Sequence, residues 1–311
     1  MLILRILAPT FLLIAFGAGL RRSGFVSAEF LREGNRVVYW FGLPALLFNE
    51  LATASLSVGG PAQLMFVAML GATAAVIALS YAGARLLRLP ASAAGTFVQG
   101  AFRGNLAFVG LPIIYSLPDG LKINGVPVRT VAVMVIAPML VVYNVTGIVV
   151  LLASQLDVRK LSGKYLLQQI VTTPPLLATV AGVAYALTGW PWPAVLHDTF
   201  DALAQLALPL ALLGIGGALV STPFGGEWHA PLAAAALKTA AGPALGWLAG
   251  RWLGLGALDL KLVMVLLATP TAVISYTKVV ELEGSPALAS GSIVFSTLLS
   301  IVALAVILTA F

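Results

Sequence analysis

The residues from 286 to 310 run without one charged side chain, and those from 131 to 153 do the same. An apolar run of about 18 residues or more is long enough for a helix to cross a bilayer. Hydrophobic residues make up 60% of the 311, charged residues only 9%, and the mean hydropathy is +1.03. Soluble domains are about half apolar and about a quarter charged, so this chain reads as an all-α membrane protein, embedded over nearly its whole length. The formal charge of +6 comes with no basic run and no basic–aromatic interleaving, so nucleic acid is not an expected partner. Short cytoplasmic loops produce a basic excess by themselves. With no cysteine, disulfides, thiolate catalysis and Cys-based metal sites are excluded. At the N-terminus the pair Arg21–Arg22 follows the apolar run, the reverse of a signal peptide, and predicts an uncleaved first span.

Polar punctuation divides the chain into ten predicted spans: 1–20, 37–55, 62–87, 91–117, 131–153, 166–189, 194–220, 230–253, 258–282 and 286–310. The loops after spans one, three and five hold nine Lys and Arg residues: Arg21, Arg22, Arg32, Arg36, Arg85, Arg88, Arg159, Lys160 and Lys164. The other side holds five, Arg5, Lys122, Arg129, Arg251 and Lys261, while Arg103, Lys238 and Lys278 fall inside spans. Positive loops stay on the cytoplasmic side. Both termini are therefore expected on the outer side, the periplasm if the membrane is the bacterial inner (plasma) membrane that the family resemblance given below implies.

The two halves share a pattern. "GLPALLFNEL" (42–51) in span two has a counterpart in "ALPLALLGIG" (207–216) in span seven, and Pro112 in span four has one in Pro270 of span nine. Pro44 and Pro112 lie 68 residues apart, Pro209 and Pro270 lie 61 apart. A repeat of five spans is odd and must be inverted across the membrane. The expected organisation is thus a first five-helix repeat over 1–155 and a second over 156–311. Inverted repeats with helices broken at matching positions belong to secondary transporters.

Proline removes a backbone N–H and clashes with the preceding turn, so spans four and nine are expected to break and cross near Pro112 and Pro270, with Gly110 easing close approach. Irregular backbone at membrane depth is tolerated where it lines a cavity or is buried in protein. Two half-helix N-termini there would offer N–H groups and partial positive charge to a carboxylate or other small anion. Arg103 lies about 18 Å into span four at helical rise, too deep for easy snorkelling. Its expected roles are anion attraction or bracing of the broken helix. Asn105 and Asn144 are amides in apolar spans, and Thr269, Thr271 and Ser275 flank the second break. All eleven acidic residues fall in loops or near span ends, leaving Glu50, beside Asn49, as the one candidate for a proton-responsive group.

Other pattern matches carry less. Ser275 and Lys278 fit Ser-x-x-Lys without the second motif of that hydrolase set. His197 and Asp201 lack the further ligands that a metal needs. Ser292, Ser296 and Ser300 form a stripe read as packing, and "GIGG" (214–217) as helix-packing glycine. No enzyme, metal or cofactor is expected.

Motif order then resembles the auxin efflux carrier family, which is distantly related to bile acid/sodium symporters and includes plant auxin exporters and bacterial permeases for malonate and similar acids. Pro44, Leu46 and Phe48 match its Pro-x-Leu-x-Phe in span two; Asn105, Gly110 and Pro112 match its span-four pattern. Tyr143 and Asn144 match a Tyr-Asn pair in span five, and "ATPTAVISY" with Glu281 is similar to span nine, departing at Val279–Leu282. The resemblance implies a scaffold of spans 1, 2, 6 and 7, a moving transport domain of spans 3–5 and 8–10, elevator-type alternating access, and a homodimer among membrane lipids. The function it implies is efflux of small organic anions; the alternative is a sodium-coupled organic acid or bile-acid-type symporter. The candidate substrate-binding residues are Arg103, Asn105, Asn144, Thr269, Thr271, Ser275, Phe48 and Asn49. The candidate helix-crossing residues are Pro112, Pro270 and Gly110.

Overall fold

The computed structural model describes residues 2–53, 60–154, 164, 174–221 and 228–310. The expected start of span six (166–173) and the loop cations Arg159 and Lys160 lie outside the described residues. Helices dominate, and among the described residues five are long and apolar enough to cross a membrane: Pro61–Leu86, Val128–Ser154, Ala194–Val220, His229–Trp252 and Pro286–Ala310. Leu106–Tyr115 and Pro174–Thr188 are shorter apolar helices. A β-hairpin interrupts the helical pattern, pairing Lys122 with Pro127 and Ile123 with Val126. Its turn is Asn124–Gly125, both at positive φ (49° and 83°), the pair that a tight hairpin turn demands.

Proline shapes these helices in two ways. Among the described residues, the π-helical turns Val38–Gly42, Leu106–Gly110 and Leu237–Ala241 each stand two residues ahead of a proline: Pro44, Pro112 and Pro243. A proline ring collides with the carbonyl four residues back. Widening that turn moves the carbonyl aside and lets the neighbouring N–H bond five residues back, as Leu43 does to Val38 O and Gly242 to Leu237 O. Pro9, Pro138 and Pro209, by contrast, lie inside continuous helices. Span seven is therefore not interrupted at Pro209, and the proline count alone does not locate the breaks.

The contacts divide the chain into two compact units, interleaved in sequence: residues 1–63, 107–141 and 170–221 form one, and 64–106, 142–169 and 222–311 the other. In the first, the helices Leu2–Arg22 and Ala194–Ser221 pack backbone to backbone. A Cβ on Gly216 would fall 1.9 Å from Ile14 O, and one on Gly17 would fall 2.2 Å from Leu213 O. Small residues allow such approach where apolar surface alone gives helices no reason to associate. Phe48 packs with Tyr185, Trp192 and Phe200 in the same unit, with its ring centroid 5.0 Å from that of Trp192. A short amphipathic helix, Ala28–Val37, starts from Ser27, whose hydroxyl accepts the Phe30 N–H at 2.9 Å.

In the second unit the helix Pro286–Ala310 and most of Pro61–Leu86 accompany two interrupted pairs, of which the first continues past Leu106 into the other unit. Ala91–Phe102 ends at Arg103, and Ala257–Ala268 ends at Thr269 before Ile274–Glu281 begins. The Ala257–Ala268 helix stops where Pro270 forces its predecessor out of the helical region: Thr269 has φ −56° and ψ 147°. The interruption in the other pair falls at Arg103–Asn105, where Arg103 has φ −76° and ψ 94°. This corrects the expected position of the span-four break. Pro112 sits in the first turn of Leu111–Tyr115, after the π turn that ends at Gly110. A proline there needs no N–H partner, so neither Gly110 nor Pro112 interrupts the backbone.

Candidate functional site

The two interruptions in the second unit meet. Gly104 and Thr271 form an isolated antiparallel bridge, with Asn105 N–H donating to Pro270 O at 2.8 Å and Ala272 N–H to Arg103 O at 2.9 Å. Extended backbone buried away from water must satisfy its polar groups, and here each break satisfies the other. Side chains complete the arrangement: Thr271 N–H donates to Ser296 Oγ at 2.9 Å and Thr271 Oγ1 to Gly100 O at 2.7 Å. Thr269 Oγ1 turns back to Leu266 O at 2.7 Å. The N–H groups of Asn105, Thr271 and Ala272 are thus consumed within the protein. The expectation of backbone N–H groups open to an anion is corrected at these three residues, and the donors that remain are on side chains.

Two of those side chains are buried cations. Arg103, 3% exposed, donates from its guanidinium to Asn144 Oδ1. Lys238, 2% exposed, donates from Nζ to Leu267 O in the last turn of Ala257–Ala268. Glycines admit both. A Cβ on Gly147 would lie 2.9 Å from Gln99 Nε2 and 3.3 Å from Arg103 NH1, and one on Gly104 would lie 2.7 Å from Thr269 Oγ1 and 3.2 Å from Lys238 Nζ. The same unit holds buried polar atoms with no hydrogen-bond partner among the described residues: both ends of the Gln99 amide, Asn105 Nδ2 and Ser275 Oγ. Among the described residues no carboxylate forms an ion pair with Lys238. The chemistry of this region is that of donors and positive charge.

A family model described as membrane transport protein matches residues 2–308. The chain belongs to the membrane transport protein family, that of the auxin efflux carriers. No curated protein matches it. Membership makes this chain a multi-pass membrane transporter.

Within this membrane transport protein, six of the sequence-predicted binding residues belong to the second unit: Arg103, Asn105, Asn144, Thr269, Thr271 and Ser275, together with Pro270. Phe48 and Asn49 belong to the first, as do Gly110 and Pro112. There Asn49 Oδ1 accepts from Trp192 Nε1 at 2.8 Å, and Phe48 joins the aromatic cluster around that ring. Glu50 also lies in the first unit, on a cavity of about 490 Å³ bordered by Tyr115, Arg129 and Asp201. Its two oxygens accept from Tyr115 at 3.0 Å and Thr130 at 2.7 Å. Arg129 is occupied by Asp119 at 2.6 Å.

Three residues of the second unit escaped the sequence reading as site members. Ser296 had a signal, the four-residue serine stripe, but the stripe looked like packing; the structure uses Ser296 to hold Thr271. Lys238 was visible as a lysine within a span, yet nothing in its surroundings specifies which backbone it meets. Gln99 sits one turn before Arg103 on the same helix face, a spacing that could have paired them.

Proposed function

We propose that this transporter is an efflux carrier for small organic anions, carboxylates first among them, held at the paired interruptions of the second unit. The observation that carries the reading is the group of buried donors there: Arg103 and Lys238, with Gln99 Nε2, Asn105 Nδ2 and Ser275 Oγ finding no partner among the described residues. Buried charge is costly unless compensated. A carboxylate would supply acceptor oxygens and negative charge in one group, and a guanidinium can hold it through two parallel bonds. Arg103, Asn105, Asn144, Thr269, Thr271 and Ser275 make up the binding group in this reading.

Motion follows the elevator pattern that the family resemblance implies. Support comes from one compact unit keeping residues 1–63 and 170–221 together, as a static part requires, although the boundary between the units passes inside the helix Val128–Ser154. The protein works as a homodimer in a bacterial inner membrane with periplasmic termini, oriented by its loop cations. Two inverted repeats of five spans underlie the fold, supported by the paired interruptions one in each half of the sequence.

Thermal-shift screening of purified protein against small mono- and dicarboxylates tests the substrate class, since a ligand that binds only the native state stabilises it. At least one carboxylate is expected to raise the melting temperature in a saturable way, while neutral amides of the same acids leave it unchanged. Equal effects of acid and amide contradict an anion site.

A further inference from the structure

The second span begins as a charged helix. Ala28–Val37 carries Glu29, Arg32, Glu33 and Arg36, and runs without a break through the widened turn Val38–Gly42 into the apolar Leu43–Ala52. A span that turns from charged to apolar passes from headgroup level into hydrocarbon, and Trp and Tyr gather at that boundary. Tyr39 and Trp40 stand there, with ring centroids 6.3 Å apart.

One side of the helix is used within its own unit. Leu31 and Arg21 both reach Gly217 of Ala194–Ser221, where a Cβ would fall 2.1 Å from Leu31 Cδ1 and 3.7 Å from Arg21 Cβ. The other side is open. The Arg32 and Arg36 side chains are 72% exposed, and Phe30, Val37, Trp40 and Phe41 are each more than half exposed. Four residues apart, the two arginines share a helix face. Their ion-pair partners are the exposed carboxylates of Glu29 and Glu33, at 3.3 to 3.8 Å, and exposed pairs of this kind hold weakly. From Arg21 to Val37 four arginines stand against two glutamates, four less two, an excess of +2. The open side thus presents cations at one level and aromatic and branched apolar surface at the next. Its complement is an amphiphile with an anionic head.

We propose that this side of the helix holds an anionic phospholipid, its phosphate at Arg32 and Arg36 and its acyl chains along Val37, Trp40 and Phe41. Cations clustered where a span leaves the bilayer attract anionic headgroups, and a guanidinium can grip a phosphate through two parallel bonds. The proposal does not depend on which anion is carried.

The test is melting of the purified full chain in detergent with added phosphatidylglycerol or phosphatidylcholine of the same acyl chains. Phosphatidylglycerol is expected to raise the melting temperature saturably, by several degrees more than phosphatidylcholine, and inorganic phosphate at the same concentration not at all. Arg32→Gln/Arg36→Gln is expected to lose at least half of that lipid difference. Arg85→Gln/Arg88→Gln, which removes two exposed cations of the other unit, is expected to keep it. Equal stabilisation by the two lipids overturns the proposal, and so does an equal loss in the two double variants, the mark of diffuse attraction to total charge. An effect that inorganic phosphate reproduces assigns the face to a free anion. A change from dimer to monomer in Arg32→Gln/Arg36→Gln with the lipid difference intact assigns it to a second copy; either result overturns the proposal. If that double variant does not fold, Arg32→Gln and Arg36→Gln are each expected to lose part of the lipid difference, and no loss in either overturns the proposal equally.

Discussion

Arg103 is where the chemistry of this carrier can be tested one side chain at a time. Its guanidinium is buried and oriented by Asn144, with the Gln99 amide on the same glycine face. If it holds an anion, Arg103→Gln removes one charge-assisted contact, a loss of about 1.5–3 kcal/mol, or roughly tenfold to a hundredfold in affinity. Arg103→Lys should recover part of this, because lysine lacks the planar fork. A purely bracing arginine predicts the opposite split: a lower melting temperature without ligand and unchanged affinity in the folded protein. Carboxylate titration and ligand-free melting on the same preparations separate the two. Arg103 was legible in the sequence because a deep arginine is costly in a membrane. Lys238, equally buried, was legible only as a lysine inside a span, since its role depends on a carbonyl 29 residues away.

At the scale of elements, the interrupted helices hold one another through few bonds, so each bond should matter. Ser296→Ala deprives the buried Thr271 N–H of its acceptor, and an unsatisfied buried group costs about 1–3 kcal/mol. A fall in melting temperature of several degrees is expected, with Ser296→Thr far milder because the hydroxyl is kept. No change in Ser296→Ala would mean that another acceptor takes its place. Gly104→Ala is a second probe. Its Cβ would stand 2.7 Å from Thr269 Oγ1 and 3.2 Å from Lys238 Nζ, and such overpacking costs about 1–3 kcal/mol. Transport should fall with stability; a Gly104→Ala carrier of normal stability and rate would show that the two breaks can separate at no cost.

The same elements show why the sequence revealed one break better than the other. Pro270 constrains Thr269 locally, so that break can be read from two adjacent residues. The break at Arg103–Asn105 has no proline of its own. It is held by Pro270 O and the Ala272 N–H, more than 160 residues away, and long-range pairing of this kind leaves no local mark. Pro112 looked like the cause because proline interrupts helices, but a π turn absorbs it.

For the molecule as a whole, the amount and distribution of apolar sequence sufficed to place the chain in a membrane, and the order of weak motifs sufficed for the family. The halves 1–155 and 156–311 come from sequence symmetry, whereas packing sorts residues into units that draw on both halves. The helix Val128–Ser154 contributes to both units, changing over after Val141, a division that hydropathy cannot mark because the span is apolar throughout. Assembly belongs to this scale too. A homodimer is expected, so native mass spectrometry should show twice the 32.2 kDa chain mass; a strict monomer under conditions that preserve transport contradicts it.

The central claim is that small carboxylates cross the membrane through this protein and are held by donors at the paired interruptions. Counterflow of a labelled carboxylate, chosen by its thermal shift, into proteoliposomes preloaded with the same unlabelled acid tests it most directly. The account predicts transient accumulation by wild type in sodium-free choline buffer, a half-saturation constant about tenfold to a hundredfold higher for Arg103→Gln, and no accumulation in protein-free vesicles. Accumulation with the same half-saturation constant in both proteins, or uptake that begins only when sodium is added, contradicts it.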